Sequence, residues 1–191
     1  MAKAYYAILF LCSMVIAMPI VHGIDESPQA VAKWFENLPK MKEKLTKFHF
    51  YFHDQVSGKN PTSVTVVKAN ATSQLPNFFG LVEVIDNVLT VGPEANSTTV
   101  GRAQGMYVAD GLLIGAAEMS FSFVFTSGRY NGSTLSLLGR NEVLKTYREM
   151  PIVGGSGVFR LARGIATART YSFNLTTGDA IVEYNVVVLH Y

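Results

Sequence analysis

Phe48-His49-Phe50-Tyr51-Phe52-His53-Asp54 is the stretch that decides how the rest of the chain is read. Side chains on a strand alternate between its two faces. Phe48, Phe50 and Phe52 therefore share one face, with Asp54 next in that row, and His49, Tyr51 and His53 occupy the other. Three phenylalanines in a row pack one side of the strand into a core. A carboxylate ending the row lies at the core's edge or inside a cavity. Burial without a cationic partner would raise its pKa and let it exchange protons near neutral pH. The commoner arrangement is a turn at Asp54 with the carboxylate capping a loop, and this strand on its own favours that slightly.

The chain begins like a secretory precursor. Lys3 is the only Lys, Arg, Asp or Glu before Asp25, Ala7 to Ile20 is an apolar run, and Val21 and Gly23 put small residues at the −3 and −1 positions of a cleavage site. That run is too short for a membrane anchor, so residues 1–23 read as a removed signal peptide. The remaining 168 residues make one ordinary domain. The single cysteine, Cys12, falls in the leader. The mature chain is then expected to fold on its hydrophobic core alone, without cysteine nucleophiles or ligands. Without the leader, 15 basic residues face 14 acidic ones, with no basic block. Nucleic acid is therefore not expected as a partner, nor is a membrane. Sequons at Asn70, Asn96, Asn131 and Asn174 are candidate glycan sites on loops or strand edges.

Residues 24–46 read as a polar N-terminal arm with a helix-like stretch, Pro28 to Leu45, broken at Pro39. From Lys47 the pattern is β, giving a second region over residues 47–191. Strands are expected over Ser63–Lys68, Phe78–Ile85, Thr99–Val108, Leu112–Phe125 and Arg129–Leu138. Asn141–Met150 reads as irregular or briefly helical, and Gly154-Gly155-Ser156-Gly157 as a flexible turn within Ile152–Phe159. Leu161–Phe173 and Ala180–Tyr191 form a closing hairpin through Thr177-Gly178-Asp179. About eight strands with short turns and little helix predict an all-β barrel or sandwich, and phenylalanines on several strands favour a closed barrel with an apolar interior.

No catalytic serine elbow, zinc-protease helix motif or phosphate-binding loop is present in the sequence. His49 and His53 share a strand face but would need ligands from elsewhere to hold a metal, so surface roles are expected for the histidines, and no metal. Arg140, Arg148, Arg160, Arg163 and Arg169 crowd the C-terminal half. Most should be solvated. One of them facing Asp54 across a cavity would lower the carboxylate's pKa and make an anion-binding pair.

Several ordered blocks resemble the plant dirigent family. They are Phe50-Tyr51-Phe52-His53-Asp54, Gly101 to Tyr107, Phe123-Val124-Phe125, Tyr130 to Asn141, Arg148 to Gly157, Phe159-Arg160 to Gly164, Gly178 to Asn185, and Leu189-His190-Tyr191. The resemblance covers residues 45–191 and implies an eight-stranded antiparallel β-barrel of the calycin type, assembled as a homotrimer or homodimer in the apoplast. It implies a lumen that binds a small phenolic, and no cofactor. An external oxidase or peroxidase supplies phenoxy radicals, and the barrel directs their coupling toward one enantiomer. A subgroup instead dehydrates isoflavanols to pterocarpans. Both routes pass through quinone methides.

Carried over onto this chain, the resemblance makes Asp54 and Arg148 the reacting and orienting groups, with Tyr107, Thr167, Asn141 and Phe52 lining the substrate site. The chain has Asn141 and Ala109 where pinoresinol-forming members carry an aspartate and a tyrosine, and it lacks their cysteine pair. These departures move it toward the pterocarpan-forming and other divergent subgroups. Stereocontrol of radical coupling is the expected role. Isoflavanol dehydration is the alternative, and a barrel that only binds phenolics is a third.

Overall fold

Nine strands and one helix carry the fold of the computed structural model, which describes residues 24–191 except Ala71, Pro76 and the side chain of Ser73. The leader expected over residues 1–23, with Cys12, lies outside the described residues.

Helix α1 spans Pro28–Asn37. Ser27 caps it by accepting the Ala30 amide through Oγ at 3.2 Å, and Pro28 opens its first turn, where a missing N–H costs nothing. It gives way to a 3-10 turn over Leu38–Lys40 at Pro39, where the sequence indicated a break, but the expected helix-like stretch does not resume: Lys44 and Leu45 are strand.

The strands are β1 (Lys44–Asp54), β2 (Ser63–Lys68), β3 (Leu81–Thr90), β4 (Thr99–Ala109), β5 (Ala117–Phe125), β6 (Thr134–Asn141), β7 (Arg148–Ser156), β8 (Arg163–Phe173) and β9 (Ala180–His190). All pair antiparallel in the order β1-β9-β8-β7-β6-β5-β4-β3, and β3 returns to β1 through Tyr51–Thr90, Phe52–Leu89 and His53–Val88. The result is a closed eight-stranded barrel. Beyond His53, β1 leaves β3 and β2 takes over its edge, from Ser63 opposite Ile85 to Lys68 opposite Leu81. The changeover falls at Asp54.

Several strand limits differ from the sequence reading, each for a physical reason. β1 begins at Lys44, because its pairing with β9 runs unbroken to His190. β3 continues through the polar pair Asp86-Asn87 to Thr90, because the inward Asn87 finds partners inside. β5 starts only at Ala117, and Leu112–Ile114 stay in an exposed loop. Gly128–Tyr130 form a 3-10 turn before β6. Arg148–Met150 belong to β7. Gly154, Gly155 and Ser156 are strand, paired with Ser136, Leu135 and Thr134, and the turn starts one residue later at Gly157, whose φ of +64° suits glycine.

The interior is stacked in layers. At one end Phe48, Phe125, Tyr130, Phe159 and His190 close the barrel, with Phe48 and Phe125 stacked at 4.9 Å and His190 edge-on to Phe159 at 5.0 Å. Phe50, Phe123 and Tyr184 form the middle, with Phe123 4.9 Å from Phe50 and 5.4 Å from Tyr184. Such edge-to-face pairs contribute about 0.5–1.5 kcal/mol beyond the area they bury. Gly105 faces inward opposite Phe121, and a Cβ there would collide with the Phe121 backbone, so β4 must carry glycine for that ring to cross the lumen. The opposite end lacks an aromatic plug and is the mouth.

Candidate functional site

Polar and ionisable groups gather at the mouth because the inward rows of several strands carry polar residues there. β1 ends its phenylalanine row on Asp54, and β3 brings Glu83 and Asn87. Tyr107 comes from β4, Asn141 from β6, Arg148 from β7 and Tyr184 from β9.

Asp54 is the centre. The Ser63 hydroxyl donates to its Oδ1, the Asn87 amide donates to the same oxygen at 3.1 Å, and the Tyr107 hydroxyl reaches Oδ2 at 3.5 Å. Asn87 is itself fixed, with Thr62 donating to its Oδ1 at 2.5 Å. Asp54 therefore faces the lumen and does not cap an outward loop. Burial raises its pKa above the ordinary carboxylate range, and the three donors hold that rise in check. The expected lowering by a facing arginine is not found. Burial dominates, and the charge that bears on Asp54 is the like charge of Asp179.

Arg148 is the one buried guanidinium of the five crowded arginines, 5% exposed. Its Nη1 donates to Thr170 Oγ1 at 2.7 Å and to the carbonyls of Val143 and Lys145 at 3.4 Å, while its buried Nε has no partner among the described residues. Burial lowers its pKa, but at this residue type the charge persists. The others lie on the surface. Arg140 meets Glu142, Arg163 meets Glu43 and Arg169 meets Glu183, while Arg160 donates to the Asp25 carbonyl at 2.8 Å.

Tyr184 was not singled out by sequence reasoning. Its ring is buried beside Phe50, Phe52 and Phe123, and the Asp54 and Arg148 charges both act on its hydroxyl. Burial pushes the hydroxyl's pKa up, as it does for Tyr107. The signal was the alternation Val182, Tyr184, Val186, Val188 on β9. Phe52 lines the same wall, 5.9 Å from Phe121. Asn141 is buried, with Nδ2 against Met119 Sδ at 3.6 Å and Oδ1 unpartnered among the described residues.

Thr167 requires a correction. Ala166 and Ala168 are the inward residues of β8, so Thr167 points outward, paired with Glu149 and Asn185. The same parity puts Thr170, exposed at the mouth, on the side of Arg148, from which its hydroxyl accepts at 2.7 Å. The histidines depart from a uniform surface role. His49 pairs with Glu183 at 2.8 Å, His53 meets Thr90 at 2.6 Å, and His190 is buried against Phe159 with Thr46 at 2.9 Å. The sequon residues Asn70, Asn96, Asn131 and Asn174 are all exposed and outside strands.

The rim is apolar. Leu113 and Leu175 are 91% exposed and Leu144 is 88% exposed, at the tips of the β4–β5, β8–β9 and β6–β7 loops. Asn77 ties two rim loops by donating to the Gly111 and Leu112 carbonyls at 2.7 and 2.6 Å. The arrangement sets a carboxyl, two phenols and a guanidinium beside aromatic walls at the open end of the barrel.

A family model described as "Dirigent-like protein" matches residues 45–189. Dirigent protein 21 of Arabidopsis thaliana is 48% identical over the whole of both chains. Pterocarpan synthase 1 of Glycyrrhiza echinata is 48% identical over 78% of this chain and 80% of its own. A solved structure of a pterocarpan synthase dirigent protein superposes with a TM-score of 0.74 at 48% identity, covering 79% of this chain and 87% of that one. A family model over most of the chain, full-length relatives and a shared barrel agree: this chain belongs to the dirigent family.

Proposed function

We propose that this chain is a secreted barrel that binds a small phenolic in its lumen and directs the stereochemistry of phenoxy-radical coupling through a quinone methide. The single observation that carries the reading is Asp54, held in an aromatic lumen by Ser63, Asn87 and Tyr107 with its pKa raised. A carboxyl poised in this way moves protons at neutral pH. The Arg148 charge at the mouth draws in the phenolate or a polar substituent. Tyr107, Tyr184 and Phe52 shape the walls. An external oxidase or peroxidase supplies the radicals in the apoplast, and the barrel needs no cofactor for this role. The four exposed sequons suit a glycoprotein. Exposed apolar side chains on the outer strand faces, among them Met106, Leu138 and Val153, support self-association into a trimer or dimer.

A second reading, isoflavanol dehydration without any oxidant, is favoured by the 48% identity to a protein named pterocarpan synthase and by Asn141 in place of a second carboxylate on β6. Chiral chromatography of products from a phenol panel and an isoflavanol, with and without a one-electron oxidant, separates the two. Coupling requires the oxidant and gives an enantiomeric excess. Dehydration proceeds without it. Phenol binding with neither product would leave a barrel that only binds.

A further inference from the structure

Glu83 is a second carboxyl at the same mouth. It follows Leu89, Asn87 and Ile85 on the inward row of β3 and is directly paired with Tyr107 of β4. It is 4% exposed. Its Oε1 accepts from Thr65 of β2 at 2.5 Å, and its buried Oε2 has no partner among the described residues. A carboxylate left in that condition is costly, because a buried anionic oxygen without a donor loses its hydration and gains nothing. Asp54, by contrast, is met by three donors.

From this asymmetry we infer that Glu83 and Asp54 work as an acid–base pair across Tyr107, in which Glu83 holds the proton and Asp54 the negative charge. The inference rests on the lumen reading above and deepens it. The titratable groups facing Glu83 are Asp54 of β1 and Tyr107 of β4, while β2 contributes the neutral Thr65. Burial and the Asp54 charge both raise the Glu83 pKa, and both carboxylates raise that of the Tyr107 hydroxyl.

The pair supplies what closure of a quinone methide requires. A hydroxyl oxygen attacks the methide carbon and forms the new C–O bond, and its proton passes to Asp54. The methide π bond supplies electrons to the quinone oxygen, which takes a proton from the Tyr107 hydroxyl and becomes a phenol, while Tyr107 takes the Glu83 proton in turn. Proton return from Asp54 to Glu83 past Tyr107 resets the site with no oxidant or reductant consumed. The same pair serves dehydration: the substrate phenol gives its proton to Asp54, its electrons expel the hydroxyl as the C–O bond breaks, and the Glu83 proton, relayed by Tyr107, leaves with that hydroxyl as water. Because Oε2 is closed to solvent, Glu83 is assigned as a proton-holding and positioning residue.

The test titrates protein-bound carboxyls by infrared difference spectroscopy on the purified glycoprotein, in wild type, Glu83→Gln and Asp54→Asn. Glutamine keeps the volume and the Thr65 hydrogen bond. Wild type should show a protonated carboxyl at neutral pH that Glu83→Gln removes. Asp54→Asn should keep that band but move its titration to lower pH, because the neighbouring negative charge is gone. A band absent from wild type, unchanged by Glu83→Gln, or unmoved by Asp54→Asn overturns the pairing. With an isoflavanol alone, or coniferyl alcohol plus a one-electron oxidant, Glu83→Gln should lower product formation by about 10²-fold or more and abolish the alkaline limb of the pH profile. Full activity with an unchanged profile overturns the pairing. If wild type converts neither substrate, the lumen reading fails while the infrared titration still decides whether Glu83 holds the proton.

Discussion

At the scale of single residues, the mouth separates charge from orientation. Arg148 holds the β6–β7 loop through Val143 and Lys145 and β8 through Thr170, so its fixed charge orients a ligand at the mouth. Arg148→Lys keeps the charge but loses the planar fork. We expect KM for the accepted phenolic to rise about tenfold, the equivalent of one charged hydrogen bond, with kcat largely kept. Steady-state kinetics check this, and a collapse of kcat at unchanged KM would reassign Arg148 to the chemical step. Asn141→Asp would put a carboxyl against Met119, far from a full change of specificity because Ala109 is unaltered. No gain of coniferyl alcohol coupling is expected on chiral chromatography.

Asp54 was legible because its strand has an unambiguous period of two, with three phenylalanines setting the inward face. Glu83 and Tyr184 were not. Glu83 lies within the expected strand Phe78–Ile85, but apolar residues on both of its faces leave open which side the carboxyl takes. Tyr184 lies in a run apolar enough to read as plain core. The choice between Thr167 and Thr170 turns on which face Ala166 and Ala168 occupy, and small residues do not announce a face.

At the scale of elements, the barrel is a stack of inward rows, and its middle layer is the most exacting. Phe123 contacts Phe50, Phe121 and Tyr184. Phe123→Ala should cost about 3–5 kcal/mol, because a void opens where no strand can close in. The loss is read as a lower denaturation midpoint, and a change under about 1 kcal/mol would mean the lumen repacks freely. The mouth strands obey a different rule. Their inward ends are polar, and β2 exists as a separate strand because β1 leaves β3 at Asp54. Closure of the barrel was readable from aromatic alternation on several strands. The β1–β2 exchange was not, since it depends on pairing between residues far apart in the chain.

At the scale of the whole molecule, the site is held against the interest of stability. Asp54 and Glu83 both have folded pKa values raised above the unfolded ones. Such a group gives stability that is complete below its unfolded pKa and is lost as pH rises through its folded pKa. Wild type should therefore lose stability from this source between acidic and neutral pH. The loss is about 1.4 kcal/mol for every tenfold by which folding tightens a carboxyl's hold on its proton. Asp54→Asn should unfold at a higher denaturant concentration than wild type at neutral pH, with the gap narrowing in acid. Paired unfolding curves at the two pH values test this, and a gap that widens in acid would contradict it.

The measurement that bears most directly on the central claim is the enantiomeric ratio and rate of product formation by Asp54→Asn. It uses whichever substrate and oxidant condition the wild-type protein accepts, alongside circular dichroism and phenol binding. Asparagine keeps the size but cannot exchange the proton. The account predicts a folded, ligand-binding protein whose product is racemic or whose rate falls by about 10²–10⁴-fold. A variant that keeps the wild-type ratio and rate would show that the barrel steers by shape alone.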